Sequence, residues 1–277
     1  MNFFSLCRLL TVTFLLTGPS VASAEQSLRI AAASDLRFAL DDIVQAYREA
    51  NPEASVDVIY GSSGKMTTQI ANGASYDVFF SADIRYPQKL AREGLTATEP
   101  TVYAIGRIVL WSDTLDAGSL TLADLASEQV SRIAIAQPAH APYGMRAREA
   151  LKSAGVWEAI QHKLVFGENI AHAAQMTRSG AADAGIIALS LARFPELAEH
   201  NHHLIDHRLH QPLTQGFVVT KRARDKASAQ AFVSFMATTQ ALNIMTRYGF
   251  VLPNETRSEG KEASWAHLDP KNGKPST

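Results

Sequence analysis

The chain has 277 residues, 46% of them hydrophobic and 19% charged, with 26 Lys and Arg against 27 Asp and Glu. That balance excludes a broad nucleic-acid or anionic-membrane surface, so any anion must be held by local geometry rather than by global attraction. The one cysteine, Cys7, lies in a segment read as removed, which excludes disulfides, thiolate metal sites and cysteine nucleophiles from the mature protein.

The first 24 residues read as a secretory signal. A short segment ending at Arg8 precedes an apolar run from Leu9 to Leu16, then Gly18-Pro19 and the small-x-small site Ala22-Ser23-Ala24. The run is too short for a permanent anchor, and Cys7 precedes it, whereas a lipoprotein cysteine would follow. The mature chain is expected to start at Glu25 and to be periplasmic. With Arg8 removed, 26 basic side chains fall to 25 against 27 acidic, a net charge near −2.

From Leu28 the chain alternates buried strands with amphipathic helices. The strand Leu28–Ala33 meets Ser34, read as the cap of a helix carrying Leu36, Leu40, Ile43, Val44 and Tyr47 at helical spacing. The strand Val56–Tyr60 turns through Gly61-Ser62-Ser63-Gly64 into a helix, and Tyr76–Phe80 is a third strand. A β-prone stretch from Tyr103 to Trp111 precedes a short capped helix predicted over Ser119–Leu125. The pattern then restarts with strands at Arg132–Ala136, Lys163–Phe166 and Ala184–Leu189. Arg107–Trp111 and Gly216–Thr220 are the natural crossing strands between two α/β units. The C-terminal helices would return to the first unit. The expected organisation is lobe I over 25–106 and 217–254, lobe II over 107–216, and a polar, flexible tail over 255–277.

Four loops at strand-to-helix junctions carry the chemistry: Ala33-Ser34-Asp35, Gly61-Ser62-Ser63-Gly64, His140-Ala141-Pro142-Tyr143-Gly144 and Gly167-Glu168-Asn169-Ile170. A helix start presents unpaired N–H groups and about half a unit of positive charge, so it binds anions without Lys or Arg. Ser at such positions is more often a plain cap. Two at equivalent loops beyond the carboxyl ends of strands favour a ligand. Several such ends aimed at one cleft would make a dehydrated cage for a small oxyanion, a binding protein rather than an enzyme.

Other readings are weaker. Gly61–Gly64 with Lys65 lacks phosphate-loop spacing, and Lys65 falls on a solvated helix face. His200, His202, His203, His207 and His210 crowd one region without a metal-ligand spacing, and a polar loop accounts for them. No Ser lies in a nucleophile elbow. Asp83 follows a buried strand, where a base or a loop anchor are both open readings.

Ala31-Ala32-Ala33-Ser34, Gly61-Ser62-Ser63-Gly64 with Gln69-Ile70, Asp77-Val78-Phe79-Phe80-Ser81-Ala82-Asp83 and Arg247-Tyr248-Gly249-Phe250 together resemble the periplasmic molybdate-binding proteins of ABC transporters. The resemblance covers about Leu28 to Pro253. It implies a two-lobed type II periplasmic-binding-protein fold with crossing hinge strands, closing on molybdate or tungstate for delivery to a membrane ABC permease. It implies no cofactor, no catalysis, no metal-cation ligands and a monomer. Alternatives are a binding protein for sulfate, phosphate or an organic acid, or an exported metal-dependent hydrolase using Asp83 and the histidine segment. By this resemblance the oxyanion is held by the hydroxyl and N–H groups of Ser34 and Ser63 and by the N–H groups of Tyr143 and Ile170. A further family position, usually Tyr, is Ala188 here, which leaves a fifth contact to the Tyr143 hydroxyl or a water, with Tyr143 favoured. Asp35 replaces a commonly apolar residue; its carboxylate would repel a dianion unless it turns away to cap the helix.

Overall fold

The computed structural model describes residues 27–253; the signal segment 1–24 and the tail 255–277 lie outside the described residues. The strand β1 (Leu28–Ala33) is buried except at Arg29, and its three alanines let layers pack closely on both faces. A 3-10 turn (Ser34–Leu36) leads into α1 (Arg37–Ala50), which buries Leu40, Ile43, Val44 and Tyr47 on one face. Then follow β2 (Val56–Gly61), α2 (Ser63–Ala71), β3 (Val78–Ser81), α3 (Arg85–Arg92) and β4 (Thr101–Gly106).

After the single residue Arg107 the chain enters a second sheet through β5 (Ile108–Trp111). The β-prone stretch is thus shared between both sheets. Next come β6 (Ile133–Ala136), α4 (Pro142–Ser153), α5 (Trp157–Ile160), β7 (Leu164–Gly167), α6 (Ile170–Arg178) and β8 (Ala184–Ala188). The short helices α7 (Leu189–Ala192) and α8 (Pro195–Ala198) lead to β9 (His202–Leu204). The chain then returns to the first sheet as β10 (Leu213–Val219), followed by α9 (Ala227–Phe235) and α10 (Thr239–Arg247).

The two sheets run β2-β1-β3-β10-β4 and β7-β6-β8-β5-β9. Each has three parallel strands at its heart (β2-β1-β3 and β7-β6-β8), flanked by a strand of opposite direction, β10 or β5. Parallel strands joined by helices place the strand-to-helix loops on one edge of each sheet, beyond the carboxyl ends. The helices α9 and α10 pack their Phe232, Ala241 and Met245 into the core of the first sheet. Gly249, with φ +79°, ends α10 as expected of a C-terminal cap.

Two local expectations change. The helix predicted over Ser119–Leu125 is one 3-10 turn (Ala123–Ala126), because Asp124 turns back to accept from the Thr121 N–H and hydroxyl and closes the segment on itself. Ser34 does not cap α1: it is the first residue of the 3-10 turn, with Ala33 before it, and its hydroxyl reaches across to the second sheet instead.

Candidate functional site

The four sequence-marked loops meet between the two sheets. Gly64 N–H donates to the His140 carbonyl at 3.0 Å, and Ser62 Oγ lies 2.8 Å from His140 Nδ1. A Cβ on Gly64 would stand 2.7 Å from that carbonyl, so only glycine permits this approach. Ser34 Oγ donates to Asn169 Oδ1 at 3.1 Å, and Lys65 pairs with Glu168 at 2.7 Å across the same seam. Lys65 is half-exposed as predicted, yet it bridges to the opposite loop rather than standing free in solvent. The contacts border a small cavity of about 10 Å³ lined by Ser34, Asp35, Ser62, Ser63, Ala82, Tyr143 and Ile170 among others. No Lys or Arg lines it.

Three helix starts point into this wall. Ser63 is the first residue of α2, Tyr143 the second of α4 and Ile170 the first of α6, and such first-turn N–H groups have no acceptor inside their own helices. Pro142 opens α4 with φ preset for a helix and no N–H of its own, leaving Tyr143 and Gly144 as the donors. Gly144 is required because a Cβ would come within 2.0 Å of the Ala136 carbonyl that ends β6. Asn169 caps α6 by accepting from the His172 N–H at 3.0 Å, which leaves Ile170 N–H aimed outward. Ser63 is fully buried; its Oγ accepts from Ala82 N–H at 3.0 Å and keeps its proton for donation.

The pocket thus brings together Ser34, Ser63, Tyr143 and Ile170. Ala188 is placed differently. It ends β8 opposite Ile108, packs in the core of the second sheet and is not among the lining residues. The Tyr143 hydroxyl, read from sequence as the replacement donor, is already engaged: it lies 3.0 Å from Asp35 Oδ2 and 3.0 Å from Gln215 Nε2. Asp35 does not cap α1 either. It is buried, and Gln215 Nε2 also donates to its Oδ2 at 2.7 Å. Gln215 is held in turn by Tyr103, whose hydroxyl donates to Oε1 at 2.5 Å. Burial pushes the Asp35 carboxyl up to about 7, against the smaller opposing effect of its hydrogen bonds from Gln215 and Tyr143. Gln215 and Tyr103 carry no sequence signal, since Gln215 meets Asp35, and Tyr103 meets Gln215, only through residues far apart along the chain.

The competing sites resolve into ordinary contacts. Asp83 accepts from Arg85 N–H and side chain and from the buried Arg146 at 3.4 Å, which makes it an anchor between β3 and α4. His200 faces Asp113, His207 faces Asp206, and His202 and His203 pair along β9 rather than lying in a loop. Among the described residues no group of three or more His, Cys, Asp or Glu is placed to hold a metal ion. Nor is any helix there long and apolar enough to cross a membrane.

Comparison with known proteins agrees with this geometry. The family of bacterial extracellular solute-binding proteins matches residues 28–251. The molybdate-binding protein ModA of Rhodobacter capsulatus is 32% identical over 246 residues, covering 87% of this chain and 94% of the relative. That of Azotobacter vinelandii is 32% identical over 252 residues, covering 90% and 99%. The solved periplasmic molybdate-binding protein of Azotobacter vinelandii superposes with a TM-score of 0.76, over 82% of this chain and 100% of the other. Two α/β sheets with their strand-to-helix loops turned toward one another, matched over nearly the whole described chain, place it in the bacterial extracellular solute-binding protein family.

Proposed function

We propose that the protein captures molybdate, with tungstate as a near-equal ligand, outside the cytoplasm and delivers it to an ABC import permease. The observation that carries this reading is the convergence of Ser34, Ser63 and three helix starts on one small pocket without Lys or Arg. Uncharged donors in a dry site suit a dianion because they are oriented in advance and leave no buried cation behind when the ligand departs. The donor set is Ser63 through hydroxyl and N–H, and Ser34, Tyr143 and Ile170 through N–H, the Ser34 hydroxyl being expected to turn from Asn169 Oδ1 to the anion when it binds. The molybdate-binding relatives support the choice of ligand.

In this reading the protein is exported by its first 24 residues and works as a periplasmic monomer. The expected lobes, 25–106 with 217–254 and 107–216, shift at the return crossing, because β10 belongs to the first sheet from Leu213 onward; they close on the anion by hinge motion at Arg107 and before Leu213. The contacts Gly64–His140 and Lys65–Glu168 belong to the closed form. No covalent step is needed.

Calorimetric titration of ligand-freed protein tests the assignment. Molybdate and tungstate are expected to bind more tightly than sulfate and phosphate by about tenfold or more. At a hundred times its Kd, molybdate should add about 2.7 kcal/mol to the unfolding free energy. Tighter binding of sulfate or phosphate would transfer the site to another oxyanion.

A further inference from the structure

Asp35 is the one carboxyl group among the residues lining the pocket. Its surroundings fix which of its oxygens is engaged. Tyr103 donates to Gln215 Oε1, so the Gln215 amide nitrogen faces Asp35 and Tyr143. Gln215 Nε2 donates to Tyr143 Oη, so the Tyr143 proton goes to Asp35 Oδ2. Oδ2 therefore accepts twice, while Oδ1 is buried with no hydrogen-bond partner. The network fits only because Gly106 has no side chain: a Cβ there would stand 2.3 Å from Tyr143 Oη and 2.6 Å from Gln215 Nε2.

No cation is brought to this carboxyl by the elements around it. The helix α4 supplies Tyr143, while its Arg146 is bound to Asp83 and Glu149. The strands β4 and β10 supply Tyr103 and Gln215, and Arg107 beyond β4 lies in the group of Arg146, Glu149 and His210. The helix α7 gives Ser190 Oγ to the Asp35 carbonyl, not to the carboxyl. On α6, His172 is exposed and accepts from Glu168 N–H; on α1, Arg37 is exposed.

We propose that Asp35 acts as a neutral carboxylic acid whose Oδ1 hydroxyl is an additional donor to the bound oxyanion, so that holding the dianion requires one proton on this side chain. The inference rests on the reading of the pocket as an oxyanion site. A carboxylate beside a dianion in a dry pocket would repel it, whereas the acid form donates where Oδ1 now lacks a partner. Burial holds the Asp35 carboxyl at about 7, so the required proton is available near neutrality. Burial and the neighbouring Asp35 push the Tyr143 and Tyr103 hydroxyls well above their usual range, so neither competes as the titrating group.

The test is molybdate binding by calorimetry on the full mature protein between about pH 6 and pH 9, in buffers of different ionisation enthalpy. The dissociation constant is expected to be flat near pH 6 and to rise about tenfold per pH unit above pH 7, with about one proton taken up per molybdate at the alkaline end. Asp35→Asn keeps an acceptor for Tyr143 and Gln215 and places N–H donors where Oδ1 stood. It should bind as the parent does at pH 6, without pH dependence or proton uptake. Asp35→Ala should also lose the pH dependence but bind about tenfold more weakly than Asp35→Asn. Constant affinity and no proton uptake in the parent, a parent-like pH profile in Asp35→Asn, or equal affinity of the Ala and Asn variants would each overturn the inference while leaving the oxyanion site standing. Should Asp35→Ala fail to fold, the parent and the Asn variant still decide. Failure of all forms to bind molybdate or tungstate at every pH would remove the oxyanion site and this inference with it.

Discussion

The two ends of the first sheet each bury an aspartate, and the fold treats the two in opposite ways. At the amino end of β3, Asp77 accepts from Arg29 N–H, Arg222 and Lys226 at 2.8–2.9 Å. Burial raises its carboxyl, but those three donors together hold it below its usual value. At the carboxyl end of β1, Asp35 has two uncharged partners on one oxygen and none on the other, and burial prevails. The same residue type serves as a cation-paired staple at one end and as part of the pocket wall at the other. What separates them is the sign of the neighbours. A carboxylate that only holds the fold together is neutralised by cations, whereas the one lining the proposed oxyanion pocket is left without them.

That contrast can be broken at each end, and the largest effect is expected from pH. Asp35 has its folded-state value raised to about 7 from 3.8, so the unfolded chain releases this proton first as pH rises. Its contribution to stability is full below about pH 4 and is lost between about pH 4 and 7, amounting to about 4 kcal/mol. Asp77 has the opposite sign, contributing above its unfolded value and failing as acid protonates it. Denaturant unfolding of ligand-free protein across pH, compared with Asp35→Asn, isolates the first term: the parent should weaken toward pH 8 relative to the variant. Parallel curves would remove the contrast.

Next in size, Asp77→Ala should lower the unfolding free energy by about 3 kcal/mol, because it leaves Lys226, Arg222 and Arg29 N–H without their shared acceptor. Molybdate affinity should stay within about twofold of the parent, since this end of the sheet lies away from the pocket. A large loss of affinity with intact stability would reverse the roles assigned to the two ends. Ser63→Ala removes a buried hydroxyl from the pocket wall and should weaken molybdate by about 2 kcal/mol in calorimetry. It also deprives Ala82 N–H of its acceptor, so a modest loss of thermal stability accompanies it. Smallest is Tyr143→Phe, about 1 kcal/mol in affinity near pH 6, because the hydroxyl serves Asp35 rather than the anion. Removing that donor should also move the pH profile of binding upward, a shift that direct donation from Tyr143 to the anion would not produce.

Much of this arrangement was legible in the chain. Short apolar runs followed by Ser or Gly, or after β6 by a loop with Pro138 and Pro142, and then by helical spacing mark β1, β2, β6 and β7 with their loops, because local sequence fixes where a strand stops and a helix begins. The same local rule singled out Ser63, Tyr143 and Ile170. Partners that come from far along the chain were not legible. Gln215 reaches Asp35 across 180 residues, and Lys226 reaches Asp77 across 149. No local pattern reports such a meeting, so Asp35 could be flagged as a misfit without its partners being seen. Ser34 was misread as a cap because its acceptor, Asn169, belongs to the other sheet. Ala188 illustrates the same limit: the resemblance aligns it with a contact position, but the strand that carries it seats its side chain in the core beside Ile108.

Capture of a dianion between the two sheets by uncharged donors would be visible in a crystal structure with tungstate. One strong anomalous peak is expected in the pocket bounded by Ser34, Ser63, Tyr143 and Ile170, with hydroxyl and N–H groups, but no Lys or Arg side chain, within hydrogen-bond distance of its oxygens. A peak at another place, or one coordinated by Lys or Arg, would contradict it.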